Sequence, residues 1–313
     1  MEHFVTYFNY NYLPFGLNLF HSIKLHQPEF KLWVVCLDLK THEALRTLNY
    51  SEIELIELSD IETPELLKIK SERKIHEYFW TLTPFIPAFV LSKNLEISRI
   101  CYLDADMWLR KPLDEIFDQF DEEKSTALIT KHAFAPIHDA SRTAGVFCVQ
   151  CLIFSQNALN KILPDWQNDC LDWCFDFYFE DKFGDQKYLE KWSEKYSGVS
   201  ILKKQELILG PWNFERFPYS DAAIIHFHSF KIKKYTGTSL FYHMSDYYVP
   251  QVVEEEIYSR YAQEMKLNLK KLYNINYKIK NEKYYIDILK HSYRIVRNVI
   301  LVTMRRFKVW SKV

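Results

Sequence analysis

Glycine is scarce: 6 residues in 313, with no two standing as Gly-x-Gly. That excludes the dinucleotide-binding and P-loop fingerprints, in which glycines let the backbone approach phosphate. If such a chain binds a diphosphate, side chains and a cation must neutralise it. A long apolar run is missing too. Val299 to Met304 is the longest uncharged apolar stretch near the C-terminus, far short of the ~20 residues of a spanning helix. Met1 to Val5 has no basic segment leading into an apolar one, so no signal peptide is expected, and the protein is read as cytoplasmic. The 6 cysteines are then expected as free thiols in a reducing compartment. Cys148-x-x-Cys151 and Cys170-x-x-x-Cys174 approach the spacing of a zinc site. The first pair falls in an apolar strand, where residues three apart face opposite ways and no turn residue forms a knuckle. Packed core cysteine is therefore the reading.

Net charge is also nearly absent, at −1, but the mean hides an asymmetry. From Ile257 to Val313 there are 14 Lys and Arg against 3 Asp and Glu, a net of +11, and the remainder carries −12. An acidic body with a basic tail points to an anionic partner for the tail. Lys290, Arg294, Arg297, Arg305, Lys308 and Lys312 follow a three/four spacing, and Ile286, Leu289, Tyr293, Val296, Ile300 and Phe307 line another face. This is the pattern of a helix on an anionic membrane surface, which would make the protein peripheral on the inner face of the plasma membrane. A helix packed on the body with a solvated basic face has the same pattern. Nucleic acid is a poor partner for an otherwise acidic chain.

What is present is core-forming material. The chain is 48% hydrophobic and 17% aromatic, enough for one large α/β domain with an appendage. Strands are expected at His3–Phe8, Lys31–Asp38 and Glu52–Leu58, with helices at Tyr12–Leu25 and His42–Leu48 between them. Thr63–Leu91 reads as helical, broken near Pro84 and Pro87. An apolar strand ends in Asp104 and Asp106, and Pro112–Phe117 opens a helix with acids in its first turn. This alternation predicts a mostly parallel, doubly wound sheet. Later come strands at Ser125–Thr130, Val146–Phe154 and Val199–Leu202, and a polar loop at Lys131–Gly145. Asp165–Lys182 is expected as a helix with Asp169, Asp172, Asp176 and Glu180 on one face. From Val252 the pattern is helical. The division expected is a domain at 1–250 and a helical basic extension at 251–313.

Three constellations could carry chemistry. Asp104 and Asp106 leave the same face of an extended chain, at the end of the strand where open α/β sheets bind ligands. Either a divalent cation joins them or they form a solvated turn. His226 and His228 repeat the arrangement after another apolar strand. Carboxylates, imidazole and phosphate oxygens together suit Mn²⁺ or Mg²⁺, the imidazole tilting toward Mn²⁺. Asp185 and Gln186 follow a glycine and read either as a helix cap and turn or as a pair that holds sugar hydroxyls.

Taken in order, these residues resemble a family. Glu77–Pro84, Tyr102–Asp106, Phe183–Leu189, Pro211–Asn213 and His226–Lys231 look like the motifs of GT-A glycosyltransferases, the glycogenin/galactosyltransferase-like group and related bacterial sugar transferases. The likeness spans residues 3–235. It implies a nucleotide-diphosphosugar donor, a UDP-sugar first of all, and a glycan or glycolipid acceptor such as a surface polysaccharide or lipopolysaccharide. By the same resemblance Asp104, Asp106 and His226 would hold the metal, with His228 able to take either role. Lys231 would pair with the diphosphate, and Thr6, Tyr7, Asn9, Trp80 and Asp104 would frame the nucleotide-sugar. Asp185 and Gln186 would face the transferred sugar, with retention of anomeric configuration. The family usually has glycine where this chain has Ser229. A haloacid-dehalogenase-type phosphatase also uses Asp-x-Asp, but near the start of the chain and without a tryptophan at the place of Trp108. A catalytically silent glycan-binding scaffold would leave the paired ligands unexplained.

Overall fold

The computed structural model describes residues 1–279. Its strands are β1 (Glu2–Phe8), β2 (Phe30–Cys36), β3 (Ile53–Glu57), β4 (Arg99–Leu103), β5 (Met107–Leu109), β6 (Ala127–Lys131), β7 (Phe147–Ser155), β8 (Val199–Ile201), β9 (Ile208–Leu209), β10 (Ile224–His226), β11 (Lys231–Tyr235) and β12 (Leu240–His243). Seven of them form the central sheet in the order β3-β2-β1-β4-β7-β6-β8. The pairings β1–β2, β2–β3, β1–β4 and β6–β8 are parallel, and both neighbours of β7 are antiparallel to it. Thus β7 alone runs against the rest, and the sheet is mostly parallel as the alternation predicts.

Strand periodicity divides the core. On β4, Cys101 and Leu103 join one apolar cluster, and Ile100 and Tyr102 join the cluster on the other face. On β1, Phe4 and Phe8 go to the first face and Val5 to the second. Both faces are covered, so β7 is buried along its whole length, as interior strands of α/β sheets are. Helix α1 (Leu13–His26) lies on the first face, and its Ser22 hydroxyl accepts from the Leu109 N–H at 3.0 Å. Helix α2 (Leu39–Leu48) is capped by Asp38, whose carboxylate accepts from the Thr41 N–H, satisfying a donor the helix itself leaves open. All 6 cysteines are free and buried.

The long helical segment divides into Pro64–Lys70, Ile75–Leu82 and Phe85–Lys93. Pro84 caps the last of these and Pro87 falls in its first turn, where no N–H is needed. A larger difference lies further on. The helix expected at Asp165–Lys182 runs only from Ile162 to Asp172. Its last carbonyls are taken by other partners. Arg73, buried, donates to the carbonyls of Cys170 at 2.6 Å and Leu171 at 2.7 Å. The Tyr188 hydroxyl donates toward those of Asp169 and Trp173. The chain then forms a tight hairpin, with Phe179 and Lys182 bridged and Glu180 and Asp181 left-handed at φ 46° and 62°. Asp176 and Glu180 therefore do not continue a helical acidic face.

The helix Ser259–Tyr273 packs into the main core through Tyr261, Met265, Leu269 and Leu272. A buried amide pair ties it to α1: Asn18 Nδ2 donates to the Tyr261 carbonyl and Asn268 Nδ2 to Asn18 Oδ1. The first part of the expected extension is thus continuous with the body. The basic positions from Lys290 to Lys312 lie outside the described residues. Among the described residues no helix is long and apolar enough to cross a membrane.

Candidate active site

Two short strands bring the candidate ligands together. β4 ends at Leu103, and Asp104-Ala105-Asp106 forms a turn closed by the Met107 N–H on the Asp104 carbonyl at 3.1 Å. The chain leaves this turn as β5, which pairs antiparallel with β10, placing His226 opposite Met107. The Phe227 N–H then donates to the Asp106 carbonyl at 2.9 Å. The two aspartates thus converge through a turn, not through the alternation of an extended strand. The turn is nonetheless at the carboxyl end of β4, where such sheets bind ligands.

The geometry at this point is compact. One ligand atom each from Asp104, Asp106 and His226 fall within 4.8 Å of one another. His226 Nε2 is 3.0 Å from Asp106 Oδ1 and 3.8 Å from Asp104 Oδ2. The Tyr102 hydroxyl donates to Asp104 Oδ1 at 2.7 Å. On the far side of the ring, His226 Nδ1 meets Gln150 Oε1 at 2.9 Å. Burial raises the Asp104 pKa, and the Asp106 charge adds to that against the opposing His226. Burial works the same way on Asp106, but the adjacent His226 ring holds its carboxyl below the usual range. Burial opposes charge on His226 as well, yet Asp106 and Asp104 raise its pKa. Among the described residues no Lys or Arg pairs with either carboxylate.

These groups lie in a cleft of about 770 Å³. Its lining contains Tyr7, Asn9, Trp80, Asp104, Asp106, Asp185, Gln186, His226 and His228, so most positions singled out in the sequence meet in one place. His228 lies outside the three-ligand cluster, its ring centroid 5.7 Å from that of His226. Burial against the cleft wall first, and then the neighbouring His226, lower its pKa, although part of the residue is open to solvent. Two expected positions are not in the lining. Thr6 is fully buried within β1, beside Val34 of β2. Lys231 is exposed: after His228 the backbone turns at Ser229, and Lys231 opens β11, which pairs with β12; its charge still acts on His228. Ser229 has φ 63°, a left-handed conformation that glycine adopts without strain, and its hydroxyl accepts from the Asp246 N–H at 2.9 Å.

Asp185 is delivered by a second turn. Gly184 has φ +53°, a left-handed conformation strained for any other residue, and a Cβ there would meet the Trp80 ring at an ordinary contact distance of 3.4 Å. The carboxylate of Asp185 is buried, and burial, reinforced by the Asp104 charge, lifts its pKa to about 7. Thr83 faces this carboxylate and works against the rise, and its hydroxyl is 3.1 Å from that of Tyr7. Gln186 Nε2 donates to the Ala144 carbonyl at 2.5 Å.

The sequence missed several of the cleft's residues. Trp212 stands edge-on to both His226 and His228, with centroids 5.4 and 5.6 Å away. With Asn213 it grips the His132 carbonyl, Trp212 Nε1 at 2.7 Å and Asn213 Nδ2 at 3.0 Å. That grip holds a loop in which Ala133 has φ 49°. The Pro211–Asn213 motif is thus a clamp on the cleft wall. Behind the site, Phe227 stacks on Tyr261 at 3.5 Å, and Trp108 Nε1 donates to Glu264 at 2.8 Å. The helix Ser259–Tyr273 therefore braces both ligand-bearing segments.

No family model matches the chain. It is 31% identical over 134 residues to the uncharacterized protein YfnD of Bacillus subtilis strain 168, a match covering 43% of this chain and 42% of that one. It is 27% identical over 244 residues to the uncharacterized protein YfnF of the same strain, covering 75% and 78%. The first match therefore spans less than half the length of that relative. Among solved structures, the chain is similar to galactosyltransferase LgtC in complex with donor and acceptor sugar analogs, at TM-score 0.53 and 13% identity over 84% of this chain and 95% of that one. It is also similar to the glycosyltransferase GlyE of Streptococcus pneumoniae TIGR4, at TM-score 0.51 and 13% identity over 90% and 66%. The sheet with its single reversed strand, the cleft at the end of β4 and these likenesses identify one architecture: the chain has the GT-A fold of the glycosyltransferases.

Proposed function

We propose that the chain transfers a sugar from a nucleotide-diphosphosugar, a UDP-sugar first of all, to a glycan or lipid-linked acceptor. A divalent cation, Mn²⁺ in preference to Mg²⁺, would be held by Asp104, Asp106 and His226. One observation carries this reading: carboxylates and an imidazole from distant parts of the chain converge within 4.8 Å in a cleft that also holds Asp185 and Gln186. The donor set fits the cation, because two half-buried carboxylates with one buried imidazole and no Lys or Arg partner favour added positive charge. When bound, the cation supplies charge that offsets the negative charge growing on the leaving diphosphate.

The chain's own residues do the rest. Trp80 and Tyr7 wall the cleft and exclude water from the donor. Thr83, itself held by the Tyr7 hydroxyl, stands beside the Asp185 carboxyl group. Ionised, Asp185 stabilises the oxocarbenium character of the anomeric carbon electrostatically. Gln186 is oriented by its bond to Ala144, which leaves its carbonyl oxygen to accept from a sugar hydroxyl. The acceptor hydroxyl is held close to the anomeric carbon, and its proton goes to the departing phosphate in a retaining transfer. A silent scaffold needs neither the cluster nor the raised Asp185 pKa.

The test is a screen of common UDP- and GDP-sugars for release of nucleoside diphosphate. Release from at least one UDP-sugar, abolished by a chelator, is expected; no release from any donor, with or without glycan acceptors, removes the reading. The +11 segment from Ile257 onward is proposed to hold the enzyme to an anionic membrane at the inner face of the plasma membrane, where lipid-linked acceptors reside. Flotation with phosphatidylglycerol liposomes should then recover the full chain and lose it on deletion of residues 281–313. Undiminished flotation of the truncated chain contradicts the assignment.

A further inference from the structure

Every residue of β7 is buried, and Gln150 is the one amide on it, with 0% exposure. The rest of the strand is apolar or small. Such a residue is kept in a core only where its polar atoms have partners. Oε1 has one, His226 Nδ1 at 2.9 Å. Nε2 has none, although the side chain lines the cleft. The Gln150 carbonyl accepts from the Asp104 N–H at 3.1 Å, so one residue fixes the backbone of one candidate ligand and the ring of another.

An imidazole binds a cation through a ring nitrogen that carries no proton. In His226 the nitrogen facing the carboxylates is Nε2, so the proton must sit on Nδ1. An acceptor opposite Nδ1 holds it there and aims the ring. Gln150 Oε1 is that acceptor. The opposite amide rotamer would present N–H₂ to Nδ1, drive the proton to Nε2 and close the ligand position. The rotamer that permits cation binding therefore leaves two amide N–H donors without an acceptor on a fully buried side chain at the cleft wall. Buried donors call for an acceptor, and in a cleft the acceptor is an oxygen of the bound molecule.

We propose that Gln150 is a positioning residue for the cation site, holding His226 in its ligating tautomer, and that its amide N–H₂ donates to an oxygen of the nucleotide-sugar. This rests on the transferase reading above. The oxygen belongs either to the diphosphate or to a sugar hydroxyl, and binding experiments separate the two.

Mn²⁺ binding is read by electron paramagnetic resonance, and UDP and UDP-glucose binding by calorimetry at saturating Mn²⁺, with thermal melts confirming folding. Gln150→Leu removes the acceptor and should weaken Mn²⁺ binding about 10- to 100-fold. Gln150→Glu keeps an oxygen opposite Nδ1 but loses both N–H donors. It should hold Mn²⁺ within a few-fold of wild type, yet bind the nucleotide about tenfold more weakly. A loss shared by UDP and UDP-glucose assigns the amide to the diphosphate; a loss confined to UDP-glucose assigns it to the sugar. Wild-type Mn²⁺ affinity in Gln150→Leu overturns the positioning role. Unchanged binding of both nucleotides by Gln150→Glu overturns the donor contact. Should the wild-type chain bind neither Mn²⁺ nor UDP, the transferase reading itself fails, and that is seen before any variant is made.

Discussion

Asp106→Ala is expected to lower sugar transfer at least about a thousandfold, the several kcal/mol that a cation contributes to a developing phosphate charge. Asp106 is the carboxylate nearest His226, at 3.0 Å, and the one held below the usual carboxylate range. It is therefore the ionised partner around which a cation would assemble. Removing it leaves His226 without its nearer partner and one carboxylate, Asp104, where there were two, too little negative charge to hold Mn²⁺ firmly. The fold should survive, because the backbone ties of the turn are kept: the Asp106 carbonyl still accepts from Phe227. Initial rates with the preferred donor, together with the thermal melt, check this. Loss of rate with an unchanged melt is the expected result. A rate within tenfold of wild type would mean that the cluster is not where the diphosphate is stabilised.

The second large effect joins activity to stability. Asp185 is buried and its pKa is raised to about 7, by burial first and then by the Asp104 charge. An unfolded chain returns it to about 3.9. The folded state thus binds this proton more tightly, and the group disfavours folding progressively as pH rises from about 4 to about 7. A shift of this size corresponds to roughly 4 kcal/mol by linkage in the metal-free protein. Asp185→Asn keeps the shape and removes the charge. Above pH 7 it should melt several degrees higher than wild type, and near pH 4 the two should converge. Transfer should fall by about two to four orders of magnitude, since the neutral amide gives the anomeric carbon no counter-charge. Melts across pH 4–8 and kcat at saturating donor check both halves. An Asn variant that is no more stable at pH 8, or that transfers at the wild-type rate, contradicts the role given to this carboxylate. The expected pattern is the usual one for active sites, where function retains a group that the fold alone would discard.

Much of this architecture is legible along the chain because its signals are local. The first three strands and two helices follow from apolar periodicity, and the carboxyl end of β4 is marked where its apolar run meets Asp104. The convergence of Asp104, Asp106 and His226 is not local. It depends on the register of β5 against β10, which places His226 opposite Met107. Sequence spacing singles out residues that do converge, but by a different geometry, since the aspartates sit in a turn. Lys231 shows the converse: its motif is in order along the chain, but its exposed place at the start of the β11–β12 hairpin, outside the cleft lining, is set by the fold.

The segment after Asp165 carried two competing rhythms. Acids at helical spacing suggested a helix through Lys182, and Phe175, Phe177 and Phe179 alternate as in a hairpin. The second rhythm wins once Arg73 and Tyr188 take the helix's terminal carbonyls. Gln150 left a readable mark, a single amide in an otherwise apolar nine-residue strand. Its partner, His226, lies 76 positions away, and only the fold reveals it. The roles of Trp212 and Asn213 were hidden likewise, because what they grip is a backbone carbonyl in a distant loop.

The central claim is that a cation held by Asp104, Asp106 and His226 joins the protein to a diphosphate. Calorimetric titration of UDP into the wild-type chain, with Mn²⁺ and then with the metal removed by a chelator, addresses it most directly. Saturable binding in the presence of Mn²⁺ that disappears without it is the result predicted here; equal affinity under both conditions, or none under either, would contradict the account.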